Sequence, residues 1–318
     1  SGELDEDALY RAVQQLVKRH EALRTTFNED GSEMRVHSEM PIPFVREDIS
    51  SLSESDQQKY LSDFHQATTE FVFDFINGPL FRTTLIKLGD TEHRLMLSAH
   101  HIICDGWSTA VIAEELSALY SDYRNGKKPS LPPAPKLTDY IAQKHRFYQS
   151  ETYKEIGDYW FKKFQHDIPV LNLPVDSARP PLRTYQSRRL LFSLGTQAVT
   201  SFQQMTRKTG GSMAINLMAI VEILLYRLTG SPDIVFGLPV AGQLEAAENR
   251  SLIGHCVNTL PIRSEVAGDL TFEQYLEKRK IEIINDYDHQ QYTFGSLVQR
   301  LNLVRDPSRI PLIPFLFN

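Results

Sequence analysis

Several function classes leave marks in a sequence that this chain does not carry. Its 318 residues include two cysteines, Cys104 and Cys256, each inside an apolar run. A disulfide framework is therefore not expected, and a reducing cytoplasmic setting is. The chain has no C-x-x-C or H-E-x-x-H pattern to gather a metal. Neither GTQAV nor KTGGS matches a glycine-rich phosphate or dinucleotide loop. A net charge of −6 offers no basic surface, so no nucleic-acid partner is expected. The longest apolar stretch, MAINLMAIVEILLY (Met213–Tyr226), is interrupted by Asn216 and Glu222. It falls short of the roughly 20 residues that span a bilayer and reads as a buried helix, so no membrane association is expected. The opening SGELDEDAL is acidic, unlike a secretory signal. Both ends read as cut from something longer, since the chain starts inside a helical pattern and stops on PLIPFLFN.

What is present is an ordinary globular composition, 41% hydrophobic and 23% charged, enough for a large core in two lobes. Leu9, Val13, Leu16, Val17 and Leu23 recur at helical spacing. LRTTF and EMRVHS read as strands around an NEDG turn, and a polar helix is expected over 55–70. FRTTLIKL and RLMLSAHHII form a second antiparallel pair, followed by a helix with Ile112, Leu116, Leu119, Tyr120 and Tyr123 on one face, stopped by Gly126. NGKKPSLPPAPKL is a loop approaching a boundary, and Leu137 to Phe164 is helical. RRLLFSL and DIVFGLPVA read as strands on either side of the Met213–Leu228 helix. The class is α+β.

The stretch with chemistry in it is AHHIICDGWS, Ala99–Ser108. His100 and His101 would point to opposite faces of a strand, which argues against a shared metal. Gly106-Trp107-Ser108-Thr109-Ala110 sits between strand and helix like a hydrolase nucleophile elbow, with His289 downstream as a base. Cys104 has apolar flanks that raise a thiol pKa. His101, on the face of Leu95, Leu97, Ala99 and Ile103, could instead act on a substrate directly. The plain alternative is a core histidine beside Asp105 as a helix cap. On the residues alone these readings stay open.

Companion motifs occur in order along the chain. AHHIICDGWS resembles the HHxxxDG core of the condensation domains of nonribosomal peptide synthetases, relatives of chloramphenicol acetyltransferase. RHEALRTTF (19–27) resembles RHExLRTxF, and FDFINGPLFR (73–82) resembles FDLxxGPLxR. LTDYIAQKH follows loosely, and LIGHCVNTLPIR (252–263) resembles IGxFVNTLxxR. HQQYTF (289–294) keeps the HQ of the next motif, and RDPSRIPLIPFLFN (305–318) resembles RDxSRNPLFxxxFN.

The resemblance implies two chloramphenicol-acetyltransferase-like lobes in a V-shaped pseudo-dimer, here 1–149 and 150–318, with the second lobe incomplete. It implies an acyltransferase that joins a carrier-bound amine to a carrier-bound acyl or peptidyl thioester. Donor and acceptor carrier proteins and neighbouring synthetase domains are the implied partners. Their phosphopantetheine arms bring the substrates, and the domain binds no cofactor or metal of its own. His101 is implied to orient or deprotonate the amine, and Gly106 to bring its backbone N–H to the oxyanion. His100 and Asp105 are implied to be structural, with Arg263 as the partner expected for Asp105. Trp107, Ser108 and Asn258 are tunnel candidates. GLPVAGQ, GHCVN and HQQYTFGSL resemble variants found after a polyketide synthase module, where the donor would be a polyketide chain. Ester-forming acyl transfer and partner recruitment without catalysis are the rivals.

Overall fold

The computed structural model describes residues 2–166, 168–184, 186–303 and 306–318. Two compact units emerge. Unit 1 comprises Ser1–Arg146 together with Ala241–Val257, and unit 2 comprises Phe147–Val240 with Asn258–Asn318. Two contiguous lobes meeting at 149/150 therefore do not describe the chain, because residues 241–257 return to unit 1. The hydrogen bonds that hold them there belong to the site.

Unit 1 opens with α1 (Glu6–Arg19), whose N-cap Asp5 accepts from the Ala8 N–H at 2.8 Å. Acidic Glu6 and Asp7 begin the helix and basic Lys18 and Arg19 end it, as the helix dipole favours. Short strands β1 (Thr25–Phe27) and β2 (Met34–Val36) pair antiparallel, as the NEDG turn implied. β3 (Phe44–Asp48) precedes α2 (Glu54–Thr69) and then β4 (Phe81–Lys87) and β5 (His93–Ala99). β3 runs parallel to β4, and β4 antiparallel to β5, with Phe81 opposite Ala99. α3 (Gly106–Arg124) follows and packs on α1, burying Leu9, Val13 and Leu16 against Val111, Ile112 and Leu119. α4 (Leu137–Tyr148) completes the run.

Unit 2 contains α5 (Glu151–Phe164), α6 (Thr196–Thr209), α7 (Met213–Thr229), the paired strands β6 (Asp233–Ala241) and β7 (Val257–Glu265) but for Ala241 and Val257, then α8 (Phe272–Asp288) and α9 (Phe294–Leu301). Trp160, Phe164, Met218, Phe236, Leu260 and Ile283 form its core. The single helical region expected over 137–164 is two helices, because Ser150 leaves the helical conformation and caps α5 by accepting from the Tyr153 N–H.

RRLLFSL is not a strand. Leu190, Leu191, Phe192 and Leu194 are 72–86% exposed. Among the described residues no strand lies alongside it, and an extended segment without a ladder partner has nothing to hold it as a strand. No single helix among the described residues is long and apolar enough to cross a membrane. α6 with α7, bent by 108°, passes on length and composition only.

Candidate active site

The HHxxxDG stretch occupies the passage from β5 to α3, wholly within unit 1. β5 ends at Ala99, where the His100 N–H donates to the Leu80 carbonyl at 2.9 Å. The chain then turns, with the Ile103 N–H bonded to the His100 carbonyl at 3.1 Å. His101 therefore lies in a turn beyond the strand and is exposed, rather than on the face of Leu95 and Leu97. The ladder stops at Ala99, two residues before His101, so strand alternation does not place its ring.

His100 is half-buried instead of fully enclosed. Its Nδ1 accepts from the Ile102 N–H, and its ring meets Phe75 and Phe73 edge to face at 4.6 and 5.8 Å. Burial lowers its pKa, and the neighbouring His101 lowers it further. That packing occupies His100 with the protein, while His101 is turned outward.

Asp105 anchors the turn. It is the N-cap of α3 and 4% exposed. Oδ1 accepts from the Ser108 N–H at 2.8 Å and lies 2.7 Å from the Ser108 hydroxyl; Oδ2 accepts from Gln243 Nε2 at 2.9 Å and from the Cys256 N–H at 3.0 Å. Burial pushes its pKa up, but these donors outweigh burial and keep it below the ordinary carboxylate value. Arg263 is not its partner. That guanidinium clasps Asp233 through Nε at 3.0 Å and a second nitrogen at 2.6 Å, and also donates to the Lys163 carbonyl. Arg263 lies on β7 and Asp233 at the start of β6, two strands that pair.

Ser108 is fully buried. Its hydroxyl, between Asp105 and the Gly254 carbonyl at 2.9 Å, donates to one or the other and accepts from the Gly254 N–H at 3.0 Å. Buried and hydrogen-bonded, it presents no free nucleophile; it staples the first turn of α3 to residues 254–256. Burial, with Asp105 adding to it, pushes the Cys104 and Cys256 thiols up to about 11 and about 12, so neither is a reactive thiolate. The same staple explains Gly242, where a side chain would stand 2.4 Å from the Cys256 carbonyl oxygen. Gly106 is the opposite case. Beyond its own neighbours and the backbone of α3, a Cβ there would meet no atom of the described residues within 4 Å, so its glycine leaves open space at the head of α3.

Farther out, the RHE of the upstream motif braces α3. Arg19 Nε and His20 Nε2 reach Glu115 Oε2 at 2.8 and 2.9 Å, and Glu21 accepts from the Thr138 N–H that opens α4. Burial opposes ionisation of Glu115, but hydrogen bonds from His20 and Arg19 prevail and lower its pKa to about 2.

The comparisons with known proteins bear on this geometry. The condensation-domain model matches residues 1–318. The chain belongs to the condensation-domain family. It is 36% identical over 319 residues to Tyrocidine synthase 3 of Brevibacillus parabrevis, a match covering 100% of this chain and 5% of that relative's length. Its fold is similar to the X-domain from teicoplanin biosynthesis (TM-score 0.87, 23% identity, 99% of this chain and 70% of that one). It is equally similar to the condensation domain of the Monacolin K polyketide synthase MokA (TM-score 0.87, 21% identity, 100% and 74%). These likenesses agree with the α+β, chloramphenicol-acetyltransferase-like fold expected from the motifs.

Two further tunnel candidates of this condensation domain are tied up in its framework. Trp107 is half-buried and donates from Nε1 to the Arg250 carbonyl at 2.7 Å. Asn258 donates to the Gln290 and Tyr292 carbonyls at 2.8 and 2.9 Å and accepts from the Phe294 N–H, which fixes the approach to α9 in unit 2. Arg305, the first residue of the last motif, lies outside the described residues. His289, the base of a serine-hydrolase reading, has Nδ1 bonded to the Asn285 carbonyl and its ring stacked on Tyr159 at 3.8 Å. Among the described residues no group of three or more His, Cys, Asp or Glu side chains converges as a metal site.

The motif reading missed three residues. Gln243 and His255 lie inside GLPVAGQ and LIGHCVNTLPIR, whose resemblance as patterns singles out neither side chain. Glu115 carried a clearer signal, a carboxylate amid the apolar positions of α3.

Proposed function

We propose that this condensation domain forms an amide between two carrier-bound substrates, with His101 as the residue that acts on the attacking amine. The observation carrying this reading is the contrast within one turn. His101 is exposed on a scaffold whose other polar side chains, Asp105 and Ser108, are buried and hydrogen-bonded.

The acceptor's amino group attacks the donor thioester carbonyl. A C–N bond forms, the C–S bond breaks, and the amine proton passes by way of His101 to the departing thiolate. Holding two tethered reactants together supplies roughly 7–11 kcal/mol of such a barrier, and a positioned base adds about 10²- to 10⁴-fold. The Gly106 N–H, in the first turn of α3 where amides lack helical partners, is suited to the developing oxyanion. Phosphopantetheine arms of donor and acceptor carriers bring both substrates, and the domain itself needs no cofactor. The donor on this reading is a polyketide acyl chain. Its support is the set of motif variants, Cys256 and Tyr292-Thr293 among them, with the likeness to the MokA domain.

The test pairs a donor carrier bearing either an acyl or a peptidyl thioester with an acceptor carrier bearing either an aminoacyl or a hydroxyacyl thioester. Products are read by intact-protein mass spectrometry. Amide transfer from the acyl donor is expected. Ester product alone would assign the rival acyltransferase reading, and peptidyl transfer alone would overturn the polyketide donor. No product from a folded chain would favour a partner-recruiting module.

A further inference from the structure

His255 fills the open position of IGxFVNTLxxR, and Cys256 follows where that pattern has phenylalanine. In unit 1 its Nδ1 lies 3.1 Å from the Nδ1 of His101, with the rings edge to face, centroids 5.1 Å apart at 74°. The residues on either side of His255 hold this encounter in place. The Gly254 N–H donates to the Ser108 hydroxyl, whose oxygen also lies 2.9 Å from the Gly254 carbonyl, and the Cys256 N–H donates to Asp105. The backbone that ties 254–256 to the head of α3 thus carries one imidazole to the other.

A bond between two ring nitrogens needs one N–H and one lone pair, so the two δ nitrogens share a single proton. Partial burial of its ring lowers the pKa of His255, and a charge on His101 would lower it further, while Asp105 pulls the other way. A neutral His255 with its proton on Nε2 offers its Nδ1 lone pair to His101. A histidine side chain free in water prefers its proton on Nε2, so a partner at Nδ1 is what reverses that preference.

We propose that His255 is a positioning residue that accepts the Nδ1–H of His101 and so leaves the His101 Nε2 lone pair free for the acceptor amine. The proposal rests on the amide-forming reading. When Nε2 takes the amine proton, His101 becomes an imidazolium that still donates from Nδ1 to His255. Passing that proton to the leaving thiolate restores the starting tautomer.

Nitrogen-15 labelling of the histidines in the full chain tests this directly, under mildly alkaline conditions. Two-bond nitrogen–proton spectra are expected to show His101 protonated on Nδ1 and bare on Nε2. His255→Leu should move the proton to Nε2 and lower transfer kcat about tenfold, short of the roughly 10²- to 10⁴-fold worth of a whole base, with KM for the acceptor carrier unchanged. His255→Asn places a carbonyl oxygen near the lost Nδ1 and should restore both readings. A wild-type His101 protonated on Nε2, or a His255→Leu protein with tautomer and kcat unaltered, overturns the proposal. If the wild type transfers nothing, the amide reading fails, while the spectra still decide the tautomer.

Discussion

The two units bury their carboxylates in different company. In unit 2 each has a cation: Glu222 faces Arg279 at 2.8 Å with the Tyr275 hydroxyl beside it, and Asp286 faces Lys163 at 2.5 Å with the Tyr159 hydroxyl at 2.6 Å. In unit 1 the partners of Asp105 are neutral: an amide side chain, a hydroxyl and two backbone N–H groups. A cation neutralises charge from many directions. Backbone donors fix the carboxylate against particular residues, and here those are the head of α3 and the 254–256 segment. The unit 2 pairs fill a core, whereas Asp105 aligns a turn and carries His255 to His101.

The largest expected effect lies in unit 2. Arg279→Met leaves Glu222 buried without its cation and should cost roughly 3–5 kcal/mol, most of it recovered in the double variant Glu222→Leu/Arg279→Met. Chemical denaturation of both proteins checks this. No such rescue exists for Asp105, because two of its partners are backbone. Asp105→Asn turns an amide NH₂ toward the donors of Gln243 and Cys256. With two donors stranded at about 1–3 kcal/mol each, a loss of about 4 kcal/mol is expected. A transition unmoved by Asp105→Asn would make the carboxylate dispensable to the turn.

Glu115 stands between these cases, since it sits in unit 1 but holds Arg19 and His20. Its folded pKa of about 2 lies below the ordinary 4.5. Its contribution is therefore complete above the unfolded value and fades as pH falls through the folded one. Up to about 3 kcal/mol should disappear between about pH 4.5 and 2. Glu115→Gln should flatten that limb of a stability-against-pH curve, and an unchanged limb would show that other carboxylates set it.

Much of this was legible in the residues. Apolar patterning located β4, β5, α3, α7 and β6. The order of short motifs pointed to the family and to His101. Partner choice was harder to read. Asp233 holds Arg263 because β6 and β7 pair, and the Cys256 N–H that serves Asp105 is a group every non-proline residue carries. RRLLFSL has the composition of a strand, but composition cannot supply a neighbour. Ser108 read as accessible because a turn between strand and helix usually is; here residues 241–257 return to cover it.

The central claim is a division of labour in one turn, with chemistry on His101 and support on Asp105 and Ser108. Single-turnover amide transfer by His101→Ala and Ser108→Ala, each paired with its thermal unfolding curve, tests it most directly. His101→Ala should lose transfer by about 10²-fold or more at an unchanged Tm. Ser108→Ala should transfer at close to the wild-type rate with stability lowered by about 1 kcal/mol. Transfer retained by His101→Ala, or abolished in a stably folded Ser108→Ala, would contradict the account.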